Sequence, residues 1–108
     1  MFKEKEESLF KLEYMNNYDY LNDIIDDNYL EIGKNGYFIN KKDVINELMN
    51  FKNDRNIEIH NFEERQIDEK TYLIHYITIS NNTRYYRTSI WCDNKLLFHQ
   101  ASEIKKKK

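Results

Sequence analysis

The sequence predicts an α+β domain in which N-terminal helices pack inside a strongly curved, mainly antiparallel sheet, and three observations carry that reading. Helical patterns and one short hairpin occupy the chain as far as Phe51, whereas from about Arg55 to Ser102 the apolar residues recur with period two. Polar clusters at Asp68-Glu69-Lys70, Ser80-Asn81-Asn82 and Asp93-Asn94 divide that second part into four strands. The 108 residues include no proline and two glycines three apart, Gly33 and Gly36, so no flexible linker separates the halves. Residues 1–108 are therefore read as one domain, with 1–8 and 103–108 expected to fray.

From Lys3 to Met15 charged residues dominate, with Leu9, Phe10 and Leu12 toward one side, which predicts a first helix with a narrow apolar stripe. Asn17 can cap a second helix, in which Tyr18, Leu21, Ile24 and Ile25 recur at helical spacing until Asp26-Asp27-Asn28 breaks it. Tyr29–Ile32 and Tyr37–Ile39 flank Gly33-Lys34-Asn35-Gly36, where Asn35-Gly36 suits the positive φ angles of a type I′ turn. A small hairpin is expected there. Asn40, followed three residues later by Asp43, has the form of a capping box, and Val44, Ile45, Leu48 and Met49 make an amphipathic helix over Lys41–Phe51.

In the first of the four strands Ile57 and Ile59 share a parity that Phe62 breaks, and a bulge near His60-Asn61 would return all three to the core side. If every break is a two-residue turn, Asp68 faces Thr71, Ser80 faces Thr83 and Cys92 faces Lys95. One cross-sheet row then runs Glu63, Tyr76, Arg87, Gln100, on a face that also carries Arg65, Ile67, Tyr72, Ile74, Ser89, Trp91 and Phe98. The opposite face carries Glu64, His75, Thr88 and His99 beside Phe62, Leu73, Ile77, Tyr86, Ile90 and Leu97. Both faces hold large apolar residues, so helices are expected on one and a second copy of the chain, in a homodimer, on the other. The polar row has two readings: a structural ion pair bridged by a phenol, or the lining of a pocket for a small organic or anionic ligand.

Three blocks carry a family resemblance: Asn28-Tyr29-Leu30-Glu31-Ile32-Gly33 with Gly36, Phe62-Glu63-Glu64-Arg65, and Arg87-Thr88-Ser89-Ile90-Trp91 followed by Leu97-Phe98-His99-Gln100. Together they resemble the bacterial uncharacterised domains, SnoaL-like and calmodulin-kinase-association-like, of the nuclear transport factor 2-like superfamily. The resemblance spans Leu9 to Ser102. It implies a cone in which a curved mixed sheet encloses helices and a cavity, and it implies dimerisation through the sheet. The chain departs from the group's pattern at Ala101-Ser102, where Gly-Thr is usual, and at Leu96, where a second Trp is usual. Because the superfamily holds isomerases, cyclases, dehydratases, transport adaptors and oligomerisation modules, the fold does not select a function.

Composition narrows the choice. With 17 basic against 19 acidic side chains the net charge is −2, and the only basic run is Lys105–Lys108, so neither nucleic acid nor a membrane is an expected partner. Cys92 is the single cysteine, which excludes an internal disulfide and any multi-cysteine metal site and fits a cytoplasmic location. No cofactor is expected. The preferred reading is a ligand-binding cone using Tyr76, Arg87, Ser89, Trp91 and Gln100. The alternatives are a small enzyme of isomerase, cyclase or hydrolase type with Glu63 or His99 as general base, and a dimeric interaction module without catalysis. Glu63 would make a poor base if Arg87 held it ionised. His75, His99 and Glu64 share a face in this register, but Thr88 separates the histidines and a metal site is not expected. Glu31 either reaches the mouth of the cone or is an exposed strand carboxylate, the commoner case.

Overall fold

The structure, a computed structural model, describes residues 1–33 and 35–105; Lys34 of the expected turn and Lys106–Lys108 of the basic run lie outside them. Its elements are α1 (Lys3–Ser8), α2 (Leu12–Met15), α3 (Tyr18–Ile24), β1 (Ile25–Ile32), β2 (Phe38–Asn40), α4 (Lys41–Met49), β3 (Glu58–Gln66), β4 (Thr71–Ser80), β5 (Thr83–Cys92) and β6 (Lys95–Glu103). One six-stranded sheet has the order β2-β1-β6-β5-β4-β3, with β1 and β6 parallel and the other neighbours antiparallel. The helices bury their apolar side chains against its inner face, where Tyr29, Ile74, Tyr76, Trp91 and Leu96 belong to the same core. Among the described residues no helix is long and apolar enough to cross a membrane.

The first predicted helix is two short ones. On a continuous helix Met15 would project about 140° away from Phe10, because five residues at 3.6 per turn overshoot one turn. Breaking the helix after Ser8, whose hydroxyl bonds the Lys5 carbonyl at 2.6 Å, lets Leu9, Phe10 and Met15 all enter the core. The segment from Phe2 to Ser8 packs against the sheet. Phe2 is 1% exposed, its ring lies 4.9 Å from that of Tyr72 and 5.2 Å from that of Trp91, and its N–H donates to Glu64 Oε1 at 2.9 Å. At the other end Glu103 closes β6, and the Ile104 N–H donates to the Arg84 carbonyl at 2.8 Å.

Asn17 caps α3 by accepting the Tyr20 N–H at 3.1 Å, and Asn40 caps α4 by accepting that of Asp43 at 2.9 Å. Asp26-Asp27-Asn28 does not become a loop. The chain passes directly from α3 into β1, and the irregularity appears as a register shift against β6 between Ile25 and Leu30. In the β1–β2 hairpin the Gly33 N–H meets the Tyr37 carbonyl at 3.0 Å, one residue wider than a two-residue turn at Asn35-Gly36 would allow. Gly36 sits at φ 83°, a conformation that glycine adopts without strain.

Two of the three turns in the meander follow the sequence reading. Asn81 and Asn82 have φ 51° and 64°, and Asp93 and Asn94 have 53° and 63°, as two-residue I′ turns require. Ser80 pairs with Thr83 and Cys92 with Lys95. The Asp68 turn is wider: the Asp68 carboxylate accepts the N–H groups of Lys70 and Thr71 at 2.9 and 2.8 Å, and the Ile67 N–H bonds the Thr71 carbonyl. Asp68 therefore does not face Thr71 in the ladder. Glu63 pairs with His75 and Glu64 with Ile74, one step from the expected register. The predicted bulge in β3 is present between His60 and Glu63, with Asn61 at φ 55°, and it brings Ile57, Ile59 and Phe62 against the core together. A second bulge was not predicted. It falls between Ile90 and Trp91 on the β6 side of β5, so Trp91 pairs with Leu96 but Ile90 pairs with Phe98 and Ser89 with His99.

A slip of one residue moves a side chain to the other face. The expected row Glu63, Tyr76, Arg87, Gln100 is consequently cut at both ends. Glu63, Arg65, Phe98 and Gln100 belong to the outer face, while Glu64 and His99 belong to the inner one. Tyr76 and Arg87 remain paired and face inward. On the outer face Leu30, Phe98, Ile90 and Leu73 form an unbroken apolar row across four strands.

Phe2→Ala should lower the unfolding free energy by about 3 kcal/mol, the usual cost of emptying a buried aromatic site. A urea titration that found no loss would show that the N-terminal segment contributes nothing to the core.

Candidate functional site

The site is built upward from a buried carboxylate. Glu6 projects from α1 into the space between the helices and the sheet and is 2% exposed. One of its oxygens accepts the Tyr76 hydroxyl of β4, and the other accepts the Trp91 indole N–H of β5 at 2.7 Å. No cation pairs with it among the described residues. An ion taken out of water costs several kcal/mol unless hydrogen bonds replace its solvation, and here both oxygens are occupied. Burial, and then the charge of Glu6, hold the Tyr76 phenol well above its ordinary value of 10, with Arg87 and Arg55 pulling the other way.

Above this floor lies a partly open chamber of about 120 Å³, which shares part of its lining with a wide mouth of about 1020 Å³. Six residues border both spaces: Glu31, Glu47, Phe51, Arg55, Arg87 and His99. Arg87 projects inward from β5, and its Nε donates to Thr78 Oγ1 at 2.8 Å. Arg55 approaches from the segment leading into β3, its guanidinium donating to the Leu9 carbonyl at 3.3 Å and its own N–H to the Phe10 carbonyl at 2.8 Å. Both cations lie near the Phe10 ring, Arg55 at 5.0 Å and Arg87 at 5.6 Å from its centroid, with Phe51 also beneath Arg55 and Tyr85 beside Arg87. Aromatic faces favour a cation but do not neutralise it. Neither guanidinium has a carboxylate within ion-pair distance among the described residues. Burial, and then the charge of Arg87, lower the pKa of Arg55 to about 10, so it stays protonated at neutral pH.

A second polar group occupies β1 and β6. Tyr29 donates its hydroxyl to Glu31 Oε1 at 2.5 Å, and His99 Nδ1 lies 3.7 Å from the same oxygen. The parallel register places Glu31 and His99 side by side. Burial alone would raise the Glu31 pKa, but the neighbouring His99 imidazole, the Tyr29 hydrogen bond and the Arg87 charge outweigh it and hold the carboxyl below its ordinary 4.5. Burial, and then the Glu31 charge, push Tyr29 well above 10. Glu47 of α4 is raised from its ordinary value by desolvation and then by the charges of Glu31 and Asp43, against the pull of Arg55.

Of the residues expected to bind ligand, Tyr76 and Arg87 line the chamber. Trp91 is fully buried and committed to Glu6, and Ser89 is fully buried with its hydroxyl unpartnered, so neither reaches the chamber wall. Gln100 is exposed on the outer face and drops out. Glu63 drops out as a base for the same reason: it lies outside with His75, 3.0 Å from its Nε2. His99, the other candidate base, lines the chamber. His75 and His99 point to opposite faces, so no metal site forms from them with Glu64. Glu6, Arg55 and Glu47 were not singled out from the sequence. Glu6 had a readable signal, since it sits four residues from both Phe2 and Phe10 on one helical face. Arg55 had none, because its place depends on the path of the chain between α4 and β3.

Two outcomes follow from this geometry. Glu6→Ala strands the Tyr76 hydroxyl and the Trp91 N–H without an acceptor and should cost about 2–4 kcal/mol of stability with a shifted Trp91 emission, measured by denaturant titration followed by fluorescence. Because Glu31 ionises more readily in the folded protein, it stabilises the fold above its ordinary 4.5 and loses that contribution as pH falls through the lowered value. The stability difference between the wild type and Glu31→Gln should therefore shrink as acid is added; a gap independent of pH would refute the assignment.

No family model matches the sequence, and no curated protein matches it. Solved structures do match in shape. An NTF2-like protein from Cytophaga hutchinsonii superposes with a TM-score of 0.74 at 15% identity, over 93% of this chain and 92% of its own. One from Rhodospirillum rubrum, described as of unknown function in nutrient uptake, gives 0.76 at 11% identity over 96% of each chain. A third, from Prochlorococcus, gives 0.66 at 18% identity over 99% of this chain and 97% of its own. The chain thus has the NTF2-like fold that its three sequence blocks resemble.

Proposed function

We propose that this protein is a small-molecule-binding domain that holds an organic anion in the chamber, with the anionic group between Arg55 and Arg87. The observation that carries the reading is the pair of guanidiniums that border one chamber with no carboxylate partner among the described residues. An anion placed there gains charge-assisted hydrogen bonds and offsets the burial and the Arg87 charge that together lower the Arg55 pKa. The aromatic rings behind the cations limit their rotamers, so the site is largely formed before the ligand arrives.

A second reading, a small enzyme with His99 as general base, is favoured by the approach of Glu31 to His99 Nδ1 inside the chamber. A carboxylate oriented on one imidazole nitrogen is the usual support for a base acting through the other. The assembly we infer is a homodimer through the outer face of the sheet, supported by the apolar row of Leu30, Phe98, Ile90 and Leu73. The unpaired Cys92 fits a cytoplasmic setting.

Short carboxylates such as propionate should raise the melting temperature of the wild-type protein in a concentration-dependent way, by about 2–3 kcal/mol of added stability at a hundredfold excess over Kd. Arg87→Met should abolish the shift while keeping a cooperative transition; an undiminished shift in that variant would refute the anion site. Ile90→Asp should convert the dimer to a monomer in light scattering, whereas a wild-type protein already monomeric at about 100 μM would remove the dimer from the reading.

A further inference from the structure

The chamber has two electrical poles, and the second narrows the class of ligand. This inference rests on the reading of the cone as an anion site and deepens it. Arg87 comes from β5 and Arg55 from the approach to β3, whereas Glu31 comes from β1 and Glu47 from α4, which packs on β1. In the strand order β2-β1-β6-β5-β4-β3 the guanidiniums therefore enter from one side of the sheet and the carboxylates from the other, with His99 of β6 between them. All five border the same chamber.

Among the described residues Arg55, Arg87 and Glu47 form no ion pair, while Glu31 accepts the Tyr29 hydroxyl and lies 3.7 Å from His99 Nδ1. Desolvation is the larger cause at each pole, and beside it the Glu31 charge acts against ionisation of Glu47, as the Arg87 charge acts against that of Arg55. A simple carboxylate would satisfy the guanidiniums but bring a third negative charge beside Glu31 and Glu47. A ligand carrying both an ammonium and a carboxylate satisfies the two poles at once. The chamber volume of about 120 Å³ corresponds to roughly four waters at about 30 Å³ each, which suits a small ligand with only a few non-hydrogen atoms.

We propose that the ligand is a small zwitterionic amino acid, its carboxylate held by Arg55 and Arg87 and its ammonium by Glu31 and Glu47. The preference for a zwitterion over the matching carboxylate is then set by the β1 and α4 side of the cone. Affinity as such is set by the β5 side.

The test is isothermal calorimetry on the intact chain at neutral pH and fixed ionic strength, with glycine, β-alanine and γ-aminobutyrate set against acetate, propionate and butyrate. At least one zwitterion should bind about tenfold more tightly than the carboxylate of equal carbon count. Glu47→Gln, at an exposed position where folding is not at stake, should reduce that preference without weakening the carboxylate, and Glu31→Gln should do the same. Arg87→Met should lose both series. Carboxylates that bind as well as every matched zwitterion, or a preference that survives in the Glu31→Gln, Glu47→Gln double variant, would overturn the amino-acid assignment and leave the anion site standing. If neither series binds the wild-type protein, both readings fall.

Discussion

The hydrogen bonds made by the buried carboxylate of Glu6 hold this structure to its shape. They join the first helix to Tyr76 and Trp91 on the two central antiparallel strands, through the deepest part of the core. A carboxylate there without donors would cost several kcal/mol, so α1 can occupy only the position in which both donors are met. That position places Phe2 against Trp91 and Tyr72, and it carries Phe10 to the edge of the chamber, where its ring lies near Arg55 and Arg87. The floor of the chamber and the back of its cationic pole thus depend on the same short segment.

The sheet contributes the other constraint. Two bulges bend it and change which residues face inward, one between His60 and Glu63 and one between Ile90 and Trp91. The second brings His99 beside Glu31 and removes Gln100 from the interior, and it leaves Arg87 where the turn at Asn81-Asn82 had placed it. Polar groups from seven separate segments meet around a space of about 120 Å³ in consequence. Such a gathering is costly to a protein that uses it for nothing, because each charge loses solvation that its neighbours only partly return.

The parts of the site that were legible in the sequence are those tied to local rules. Arg87 and Tyr76 belong to the β4–β5 hairpin, whose two-asparagine turn fixes its register by itself, and both line the chamber. The residues misplaced by sequence reasoning, Glu63 and Gln100, lie beyond irregularities that no local pattern announces: a third residue in the Asp68 turn and an extra residue at Leu97. His99 was a candidate for the right reason, a titratable group near the core, but in a register that put it on the wrong face. Glu6 lay within residues 1–8, which were expected to fray, and was not singled out.

The sequence by itself determined the class of the fold, the caps of α3 and α4, the four-stranded meander, the β3 bulge and the two asparagine-rich turns. Each of these is decided within about ten residues by periodicity, by side-chain capping or by the cost of positive φ. Only the tertiary structure decided the order of strands, the parallel pairing of β1 with β6, the burial of Glu6 and the company that Arg55 keeps. Those depend on contacts between residues far apart in the chain, where one inserted residue exchanges the two faces of a strand and a charge is tolerated only if distant donors arrive to meet it.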